Sequence, residues 1–217
     1  MKNLIIIGAG GFGKEMFEYI NHDIKNGFLK DIKIKGFLDS SEESFKRANI
    51  PTNFLGSEDD YEIQNNDTFL VAIGSVSVSS KVYEKLEKRG ANFFTYIHST
   101  AIVANSAKIG KGVIICPYCI VNAQATIKDY SDLNIFSSVG HDSKLGKGCI
   151  LSPYVTLNGN VIIGDNVFIG TKSAVLLGSS IGNKCIISAN TTVKGVIKDN
   201  FMIKDKISQI QVKNRLI

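Results

Sequence analysis

The sequence has few histidines and cysteines, the side chains that zinc and other transition-metal sites most often use. Its 217 residues include three histidines, four cysteines, three prolines and no tryptophan. No apolar run approaches the ~20 residues that a membrane-spanning helix needs, and the apolar start before Gly8 is too short for a signal peptide. The net charge is +5, but the lysines are scattered rather than grouped in a basic block. We therefore expect no membrane span and no nucleic-acid partner.

The cysteines give no pattern of a metal site. Cys116 and Cys119 have the C-x-x-C spacing, but the sequence has no second pair of cysteines or histidines that could complete a four-ligand site. Cys119, Cys149 and Cys185 instead occupy a small, interior position of a repeat described below. We expect buried, reduced thiols, which suit a cytoplasmic protein, and no metal.

A hexapeptide repeat runs from Val103 to Val193. Branched aliphatic residues recur every sixth position: Val103, Ile109, Ile115, Val121, Ile127, Leu133, Val139, Leu145, Leu151, Leu157, Ile163, Ile169, Val175, Ile181, Ile187 and Val193. The residue four positions after each is nearly always small, and the residue directly after each is often Gly or Asn. This period fits neither a helix nor a flat strand, but it fits a solenoid of short strands, three to a coil. The aliphatic side chains would fill the coils, and we expect the following Gly or Asn to supply the positive φ of the turns.

The residues before the repeat have the pattern of a small α/β domain. A strand over Lys2 to Gly8 leads into Gly8-Ala9-Gly10-Gly11-Phe12-Gly13 and a helix to about Ile24. Further strands are predicted at 32–38, 54–56, 68–73 and 93–97, with a helix at 79–89. We predict a Rossmann-like domain over residues 1–98 and the solenoid with a C-terminal cap, from about Phe201 to Ile217, over 99–217.

The glycine-rich turn indicates a phosphate or sugar ligand. A strand, G-x-G-x-x-G and a helix in that order let the backbone approach a phosphate at the helix N-terminus. Asp39 and Ser40 follow the next strand, where an acidic residue could bind a ribose hydroxyl or a base edge. The domain is too short for both halves of a dinucleotide fold, so a nucleotide or nucleotide sugar is favoured over NAD. A tight turn that binds nothing is the alternative.

His141 is the histidine placed for chemistry. His22 is predicted on the surface, and His98 at the domain junction in a packing role. His141 lies within the repeats, two positions after Val139, with Asp142 beside it. Ala123 and Gly159, one coil away on either side, are small and would leave room for a ligand. A neutral histidine can take a proton from an attacking amine or hydroxyl, although a solvent-exposed polar role is an equal alternative from spacing alone.

The chain resembles the hexapeptide-repeat acyltransferases that acetylate nucleotide-linked amino sugars, of the bacillosamine and perosamine N-acetyltransferase type, related to sialic-acid O-acetyltransferases. The resemblance depends on the segment Asn134, Ser137, Ser138, Val139, His141 and Asp142 after a glycine-rich α/β domain. It implies a left-handed parallel β-helix, a homotrimer, and acetyl transfer from acetyl-CoA with His141 as general base and Asp142 as its partner.

The same resemblance implies the binding residues. The nucleotide sugar would contact Gly8, Gly10, Gly11, Gly13, Asp39, Ser40, Gly74 and Asn134, and the CoA would contact Gly159, Gly170 and Lys172. The implied acceptor is a 4-amino-4,6-dideoxy sugar on dTDP, GDP or UDP, in bacterial surface-polysaccharide synthesis such as lipopolysaccharide O-antigen. Two features depart from the family pattern: Ile150 stands where some relatives carry a second histidine, and the chain lacks a G-x-P-A motif after the last coil.

Three other functions stay open at this stage. An O-acetyltransferase acting on a sugar hydroxyl would use the same base and fold. A trimeric β-helix scaffold without activity would not need His141. A metal-dependent β-helix like the carbonic anhydrases would need more histidines than the repeats contain.

Overall fold

A computed structural model describes residues 1–205 and shows a three-stranded α/β region followed by a parallel β-solenoid. The α/β region contains strands β1 (Lys2–Ile7), β2 (Ile32–Leu38) and β3 (Asp67–Val71), all parallel in the order β2-β1-β3. Its helices are α1 (Gly11–Lys25), α2 (Glu42–Ala48) and α3 (Val76–Lys88). The fold class predicted from the sequence, an α/β region joined to a parallel β-helix, is confirmed.

Within residues 1–205 the solenoid contains nineteen two-residue strands, β4 to β22, in three parallel sheets. The first sheet holds β4 (Tyr96–Ile97), β7 (Ile114–Ile115), β10 (Asp132–Leu133), β13 (Ile150–Leu151), β16 (Phe168–Ile169), β19 (Ile186–Ile187) and β22 (Met202–Ile203). The second sheet holds β5 (Ile102–Val103), β8 (Ile120–Val121), β11 (Ser138–Val139), β14 (Thr156–Leu157), β17 (Ala174–Val175) and β20 (Thr192–Val193). The third sheet holds β6 (Lys108–Ile109), β9 (Thr126–Ile127), β12 (Lys144–Leu145), β15 (Ile162–Ile163), β18 (Ser180–Ile181) and β21 (Val196–Ile197).

The repeat positions the core as the sequence predicts. Strands β5 to β20 each end on the branched aliphatic of a hexapeptide, and all sixteen of these except Val103 and Ile109 are buried. The residues that end β4, β21 and β22, at the two ends of the described solenoid, are exposed or partly buried. The first residue of each strand points outward. Residues eighteen apart pair in register, for example Val139 with Leu157. Each aliphatic therefore stacks on those of the neighbouring coils, and this buried column is the main source of hydrophobic stabilisation.

The predicted origin of the turns is wrong. Positive φ occurs three residues after fourteen of the sixteen aliphatics, not one residue after them, and mostly on residues other than glycine, such as Tyr118, Asp142 and Lys172. The glycines directly after the aliphatics serve close packing of neighbouring coils instead. A β-carbon built on Gly140 would lie 2.6 Å from the Gly159 nitrogen, which is closer than real side chains approach.

Several predicted element boundaries differ from the structure. The segment 54–56 forms only an isolated bridge, between Phe54 and Phe37, and helix α2 was not predicted. The predicted strand 93–97 is divided, because Phe93 bridges Phe69 while Tyr96–Ile97 already begin the first solenoid sheet. The first part of the predicted C-terminal cap forms strand β22, which pairs with β19. The rest of the predicted cap, residues 206–217, lies outside the described part of the chain.

The α/β region packs on one side of the solenoid. The outward side chains Tyr96, Ile114, Asp132 and Ile150 of the first sheet are all buried beneath it. The ring of Tyr83 on α3 stacks on Tyr130, at the corner between the third and first sheets, with centroids 4.0 Å apart. The contact therefore covers the first sheet and this corner.

Candidate functional site

His141 and Asp142 form a hydrogen-bonded pair at an exposed corner between the second and third sheets. Nδ1 of His141 lies 2.7 Å from Oδ2 of Asp142, and the two side chains are 58% and 53% exposed. Neighbouring residues can meet here because Asp142 has the left-handed conformation, with φ of 59°. Aspartate tolerates this conformation better than most residues. When Nδ1 donates its proton to Asp142, Nε2 keeps a free lone pair at the surface.

The backbone of neighbouring coils fixes this corner. The Asp142 N–H donates to the Ala123 carbonyl at 3.0 Å, and the His141 carbonyl accepts from Asn160 N–H at 2.9 Å. The expected space for a ligand beside Gly159 is occupied by the imidazole itself, since a β-carbon on Gly159 would lie 2.6 Å from Cε1 of His141. The absence of a side chain at Gly159 is therefore what allows the imidazole to lie flat against the coil.

The glycine-rich turn borders a cavity of about 430 Å³ at the carboxyl ends of the three α/β strands. Its wall combines the turn, Asp39 and Ser40 after β2, Gly74 after β3, and apolar side chains of α3. Strand β1 has β2 on one side and β3 on the other, so the cavity lies where the direction of the strand order reverses. Ligands of open α/β sheets bind at such switch points.

Helix α1 presents free backbone donors to this cavity. It begins after Gly10 with no side-chain cap and has no acidic residue in its first turn. A β-carbon on Gly10 or on Gly11 would meet no atom within 4 Å. Uncapped N–H groups and the positive end of the helix dipole favour an anionic group. The predicted residues Gly8, Gly10 and Gly11 all line the cavity.

Gly13 has a different role from the predicted one. A β-carbon there would collide with the carbonyl oxygen of Gly8. Gly13 therefore allows α1 to pack closely on the end of β1, and it does not line the cavity.

Asp39 holds the glycine-rich turn in place. Its Oδ2 accepts a hydrogen bond from Ala9 N–H at 2.7 Å, and its Oδ1 accepts one from Ser41 N–H at 3.0 Å. Both oxygens thus have backbone donors before any ligand binds. Asp39 still borders the cavity, with Ser40 beside it.

A second cavity next to the glycine-rich turn was not predicted. It has a volume of about 330 Å³ and is lined by the turn, Asp39, Lys14 and Arg47. Two cations beside an uncapped helix start form a suitable environment for phosphate groups. Lys14 is one residue after Gly13 in the sequence, but Arg47 comes from α2, whose placement needed the three-dimensional fold.

The other predicted binding residues lie at two different corners. Gly159 lies beneath His141, whereas Gly170, Lys172 and Asn134 lie at the corner between the first and second sheets. Oδ1 of Asn134 accepts the N–H of Ile135 at 2.7 Å, which stabilises the local turn. The structure of one chain therefore does not bring Asn134 or Lys172 close to His141.

Two further findings concern metals and membranes. All four cysteines are free and buried, and within residues 1–205 no three His, Cys, Asp or Glu side chains are grouped so that they could hold a metal ion. No helix in that range has the length and apolar character to cross a membrane.

Family models match two parts of the chain. Residues 3–86 match the PglD N-terminal domain, and residues 160–194 match the hexapeptide repeat of succinyl-transferase. The UDP-N-acetylbacillosamine N-acetyltransferase of Bacillus subtilis strain 168 is 35% identical over 117 residues, which cover 53% of this chain and 51% of that protein. The GDP-perosamine N-acetyltransferase of Escherichia coli O157:H7 is 28% identical over 148 residues, covering 63% of this chain and 61% of that protein. The matches thus span between half and two thirds of these two relatives.

Solved structures match nearly the whole chain. PerB from Caulobacter crescentus, in complex with CoA and GDP-perosamine, has 26% identity and a TM-score of 0.81, covering 93% of each chain. The acetyltransferase domain of PglB from Neisseria gonorrhoeae, in complex with acetyl coenzyme A, has 25% identity and a TM-score of 0.78, covering 93% of this chain and 95% of that one. The resemblance identified from the sequence is confirmed: this chain is similar along nearly its whole length to the bacillosamine and perosamine type of nucleotide-sugar N-acetyltransferases.

Proposed function

We propose that this protein transfers the acetyl group of acetyl-CoA to the amine of a nucleotide-linked amino-deoxy sugar. The observation that carries the proposal is the 2.7 Å pair between His141 Nδ1 and Asp142 Oδ2 at an exposed corner of the solenoid. The relatives named for this chemistry supply the reaction class, and two of the similar structures hold CoA or acetyl coenzyme A.

The reaction needs one base and no covalent enzyme intermediate. A neutral sugar amine attacks the thioester carbonyl, so that the new C–N bond forms before the C–S bond breaks. Nε2 of His141 takes the proton that the amine loses and returns it to the departing CoA sulfur. Asp142 holds the ring in the tautomer that leaves Nε2 free and stabilises the imidazolium that forms, as the carboxylate does in a Ser-His-Asp triad.

The nucleotide would bind at the glycine-rich turn. The uncapped start of α1, together with Lys14 and Arg47, suits a diphosphate, and the neighbouring 430 Å³ cavity is large enough for one further group of the ligand. This assigns the α/β region, residues 1–98, to nucleotide-sugar binding and residues 99–217 to acetyl-CoA binding and catalysis.

The arrangement within one chain supports a shared active site. The α/β region covers the first sheet, and the corner that carries His141 is the one opposite this sheet in a three-sided coil. A nucleotide sugar held by one chain would therefore meet the His141 of another. We infer a homotrimer, which the resemblance to the hexapeptide-repeat acyltransferases implies and which has the closed symmetry usual among homo-oligomers. In such a trimer Gly159 of one copy and Gly170 and Lys172 of the next could border the same CoA groove.

The product would serve glycan synthesis. An acetylated, nucleotide-activated deoxy sugar is a donor for a glycosyltransferase, which agrees with a role in lipopolysaccharide or other surface-polysaccharide synthesis. The buried, free thiols agree with a reducing cytoplasm, where activated sugars and acetyl-CoA are both present.

Release of the CoA thiol tests the proposal. Wild type, His141→Ala and the exposed-histidine control His22→Ala would be assayed with acetyl-CoA and a panel of nucleotide-linked 4-amino-6-deoxy sugars. We expect turnover by wild type and by the control, and a loss of roughly 10²–10⁴-fold in kcat for His141→Ala. Equal turnover in all three proteins would remove His141 from the mechanism. Turnover with hydroxyl acceptors only would make the protein an O-acetyltransferase, and no turnover with either acceptor would favour a scaffold.

A further inference from the structure

The 430 Å³ cavity contains one carboxylate, that of Glu58, whose one contact with a charged group among the described residues is a long ion pair with Lys85. Asp39 has both oxygens occupied by backbone N–H donors. Glu58 also lines the cavity, and its side chain is only 14% exposed. Its nearest cation is Nζ of Lys85, 3.7 Å from Oε1, while the same Nζ makes a closer contact with Asp59. Within residues 1–205 no donor hydrogen-bonds to either oxygen of Glu58, so the carboxylate is available to a ligand.

The position of Glu58 is fixed by the protein. Nη1 of Arg89 donates to the Glu58 backbone carbonyl, and Nη2 of Arg89 donates to the carbonyl of Tyr61. A mostly buried carboxylate with a fixed backbone favours partners that donate hydrogen bonds, since leaving it without donors costs free energy. The cavity wall next to it is apolar, with Ile73, Val78 and Val82. The combination suits a flat ring with hydrogen-bond donors on one edge.

The cavity must hold the end of the substrate that does not react. The sugar amine has to reach His141, which lies at an exposed corner of the solenoid. It therefore cannot remain in a cavity between β-strand ends and α3. With the diphosphate at the start of α1, the group left for the cavity is the nucleobase.

We propose that Glu58 selects guanine, so that the substrate is a GDP-linked amino sugar; this rests on the function proposed above. Guanine presents two adjacent donors, N1–H and the N2 amino group, which can pair with the two oxygens of one carboxylate. Uracil and thymine present a single N–H between two carbonyl oxygens, and a carboxylate repels those oxygens. Adenine places an acceptor nitrogen beside its amino group. A bidentate contact of this kind discriminates between bases by roughly 5- to 150-fold.

Calorimetric titration of the whole protein with nucleoside diphosphates tests this assignment. We expect GDP to bind wild type at least about tenfold more tightly than UDP, dTDP or ADP. Inosine diphosphate lacks the N2 amino group and should bind more weakly than GDP. Tighter or equal binding of UDP or dTDP would overturn the guanine assignment and leave the acetyltransferase proposal intact. Failure of every nucleoside diphosphate to bind at millimolar concentration would overturn both.

The variant Glu58→Gln tests the role of the carboxylate directly. The amide offers one acceptor and one donor, which matches the N3–H and O4 edge of uracil rather than guanine. We expect GDP binding to weaken by roughly 10- to 100-fold and the ratio of UDP to GDP affinity to rise. The control Glu62→Gln makes the same substitution at a nearby exposed residue that does not line the cavity, and it should leave both affinities unchanged. An unchanged ratio of GDP to UDP affinity in a folded Glu58→Gln variant would show that Glu58 does not determine which base binds.

Discussion

The imidazole of His141 lies against the backbone of Gly159, one coil further along the solenoid. A β-carbon at Gly159 would lie 2.6 Å from Cε1 and 3.0 Å from Cδ2 of the ring. Contacts of that length do not persist between real side chains, so any larger residue at this position would displace the ring. The orientation of the base therefore depends on a residue that contributes no side chain.

Gly159→Ala should reduce activity while the solenoid stays folded. The exposed ring can move away at little cost in stability, but Nε2 would no longer occupy its position, and a displacement of about 1 Å can cost on the order of 10²-fold in rate. Circular dichroism would check the fold, and CoA release would measure kcat. In a double-mutant cycle, Gly159→Ala should have no further effect in the His141→Ala background. An additional loss there would show that Gly159 acts on CoA or on the coil, independently of the ring.

The sequence predicts the solenoid well because one simple requirement repeats in every strand. Each short strand must bury one branched side chain, so the six-residue period and the eighteen-residue stacking follow directly from the positions of residues such as Val139 and Leu157. The glycine-rich turn that borders the cavity can also be predicted from the sequence, since Gly10 and Gly11 come between a strand and a helix. These features are local or strictly periodic.

The positions of the left-handed residues in the solenoid turns could not be predicted from the sequence in the same way. Left-handed backbone costs residues other than glycine roughly 1–2 kcal/mol, so the sequence predicts it at Gly and Asn. The structure places Tyr118, Phe136 and Tyr154 there instead, in a stack with centroids 5.0 and 4.9 Å apart. Stacked aromatic pairs contribute about 0.5–1.5 kcal/mol each, so the two pairs offset part of that cost. Such compensation depends on neighbours eighteen residues away.

Helix α2 and Arg47 were missed for a related reason. The helix has seven residues and buries one side chain, Phe45, so it has no apolar periodicity. Its local signals are confined to its ends: the Ser41 hydroxyl accepts the N–H of Ser44 at 3.1 Å, acidic residues occupy the first turn and basic residues the last. The role of Asp39 as a support for the turn likewise depends on contact with Ala9, thirty residues earlier in the chain.

Asp23→Asn should loosen the junction between the α/β region and the solenoid. The buried carboxylate of Asp23 accepts hydrogen bonds from Tyr96 Oη at 3.0 Å, from Ser99 Oγ at 2.7 Å and from Ser99 N–H at 3.2 Å. An amide replaces one acceptor oxygen with a donor, so at least one bond is lost and one donor faces another. We expect a loss of roughly 1.5–3 kcal/mol, measured by chemical denaturation. Asp60→Asn, at an exposed residue paired with Ser57, is the control and should change stability little.

The native cysteines should react very slowly with Ellman's reagent. Burial raises the pKa of the Cys149 thiol to about 12 and that of Cys119 to about 11, so at pH 8 almost no reactive thiolate is present. We expect less than one fast thiol per native chain and four after unfolding in guanidinium chloride. Thr192→Cys, at an exposed strand position, should add one fast thiol and so validate the assay. Rapid labelling of the native wild type would mean that the coils open far more readily than a packed solenoid should.

Asp132→Ile should stabilise the protein at neutral pH. Asp132 is 3% exposed, its Oδ1 has no hydrogen-bond partner among residues 1–205, and its neighbours in the sheet are Ile114 and Ile150. Burial raises the pKa of this carboxyl well above its usual range. The pKa of this carboxyl in the unfolded chain is ~3.9. At pH values between this pKa and the raised pKa of the folded chain, the unfolded chain has lost the proton and the folded chain keeps it. Stability from this group is therefore greatest at low pH and decreases as the pH rises.

The comparison of Asp132→Ile with wild type should show this dependence directly. We expect the free energy of unfolding of the variant to exceed that of wild type by an amount on the order of 1–3 kcal/mol at pH 7. The difference should be smaller at pH 4.5, because the buried carboxyl destabilises wild type less at that pH. Thr192→Ile introduces the same side chain at an exposed strand position without a titratable group, so its effect on stability should differ little between the two pH values. A gain in Asp132→Ile that is equal at pH 4.5 and pH 7 would mean that packing alone stabilises the variant. In that case the buried carboxyl would not carry the pH dependence, because its pKa would be similar in the folded and unfolded chain.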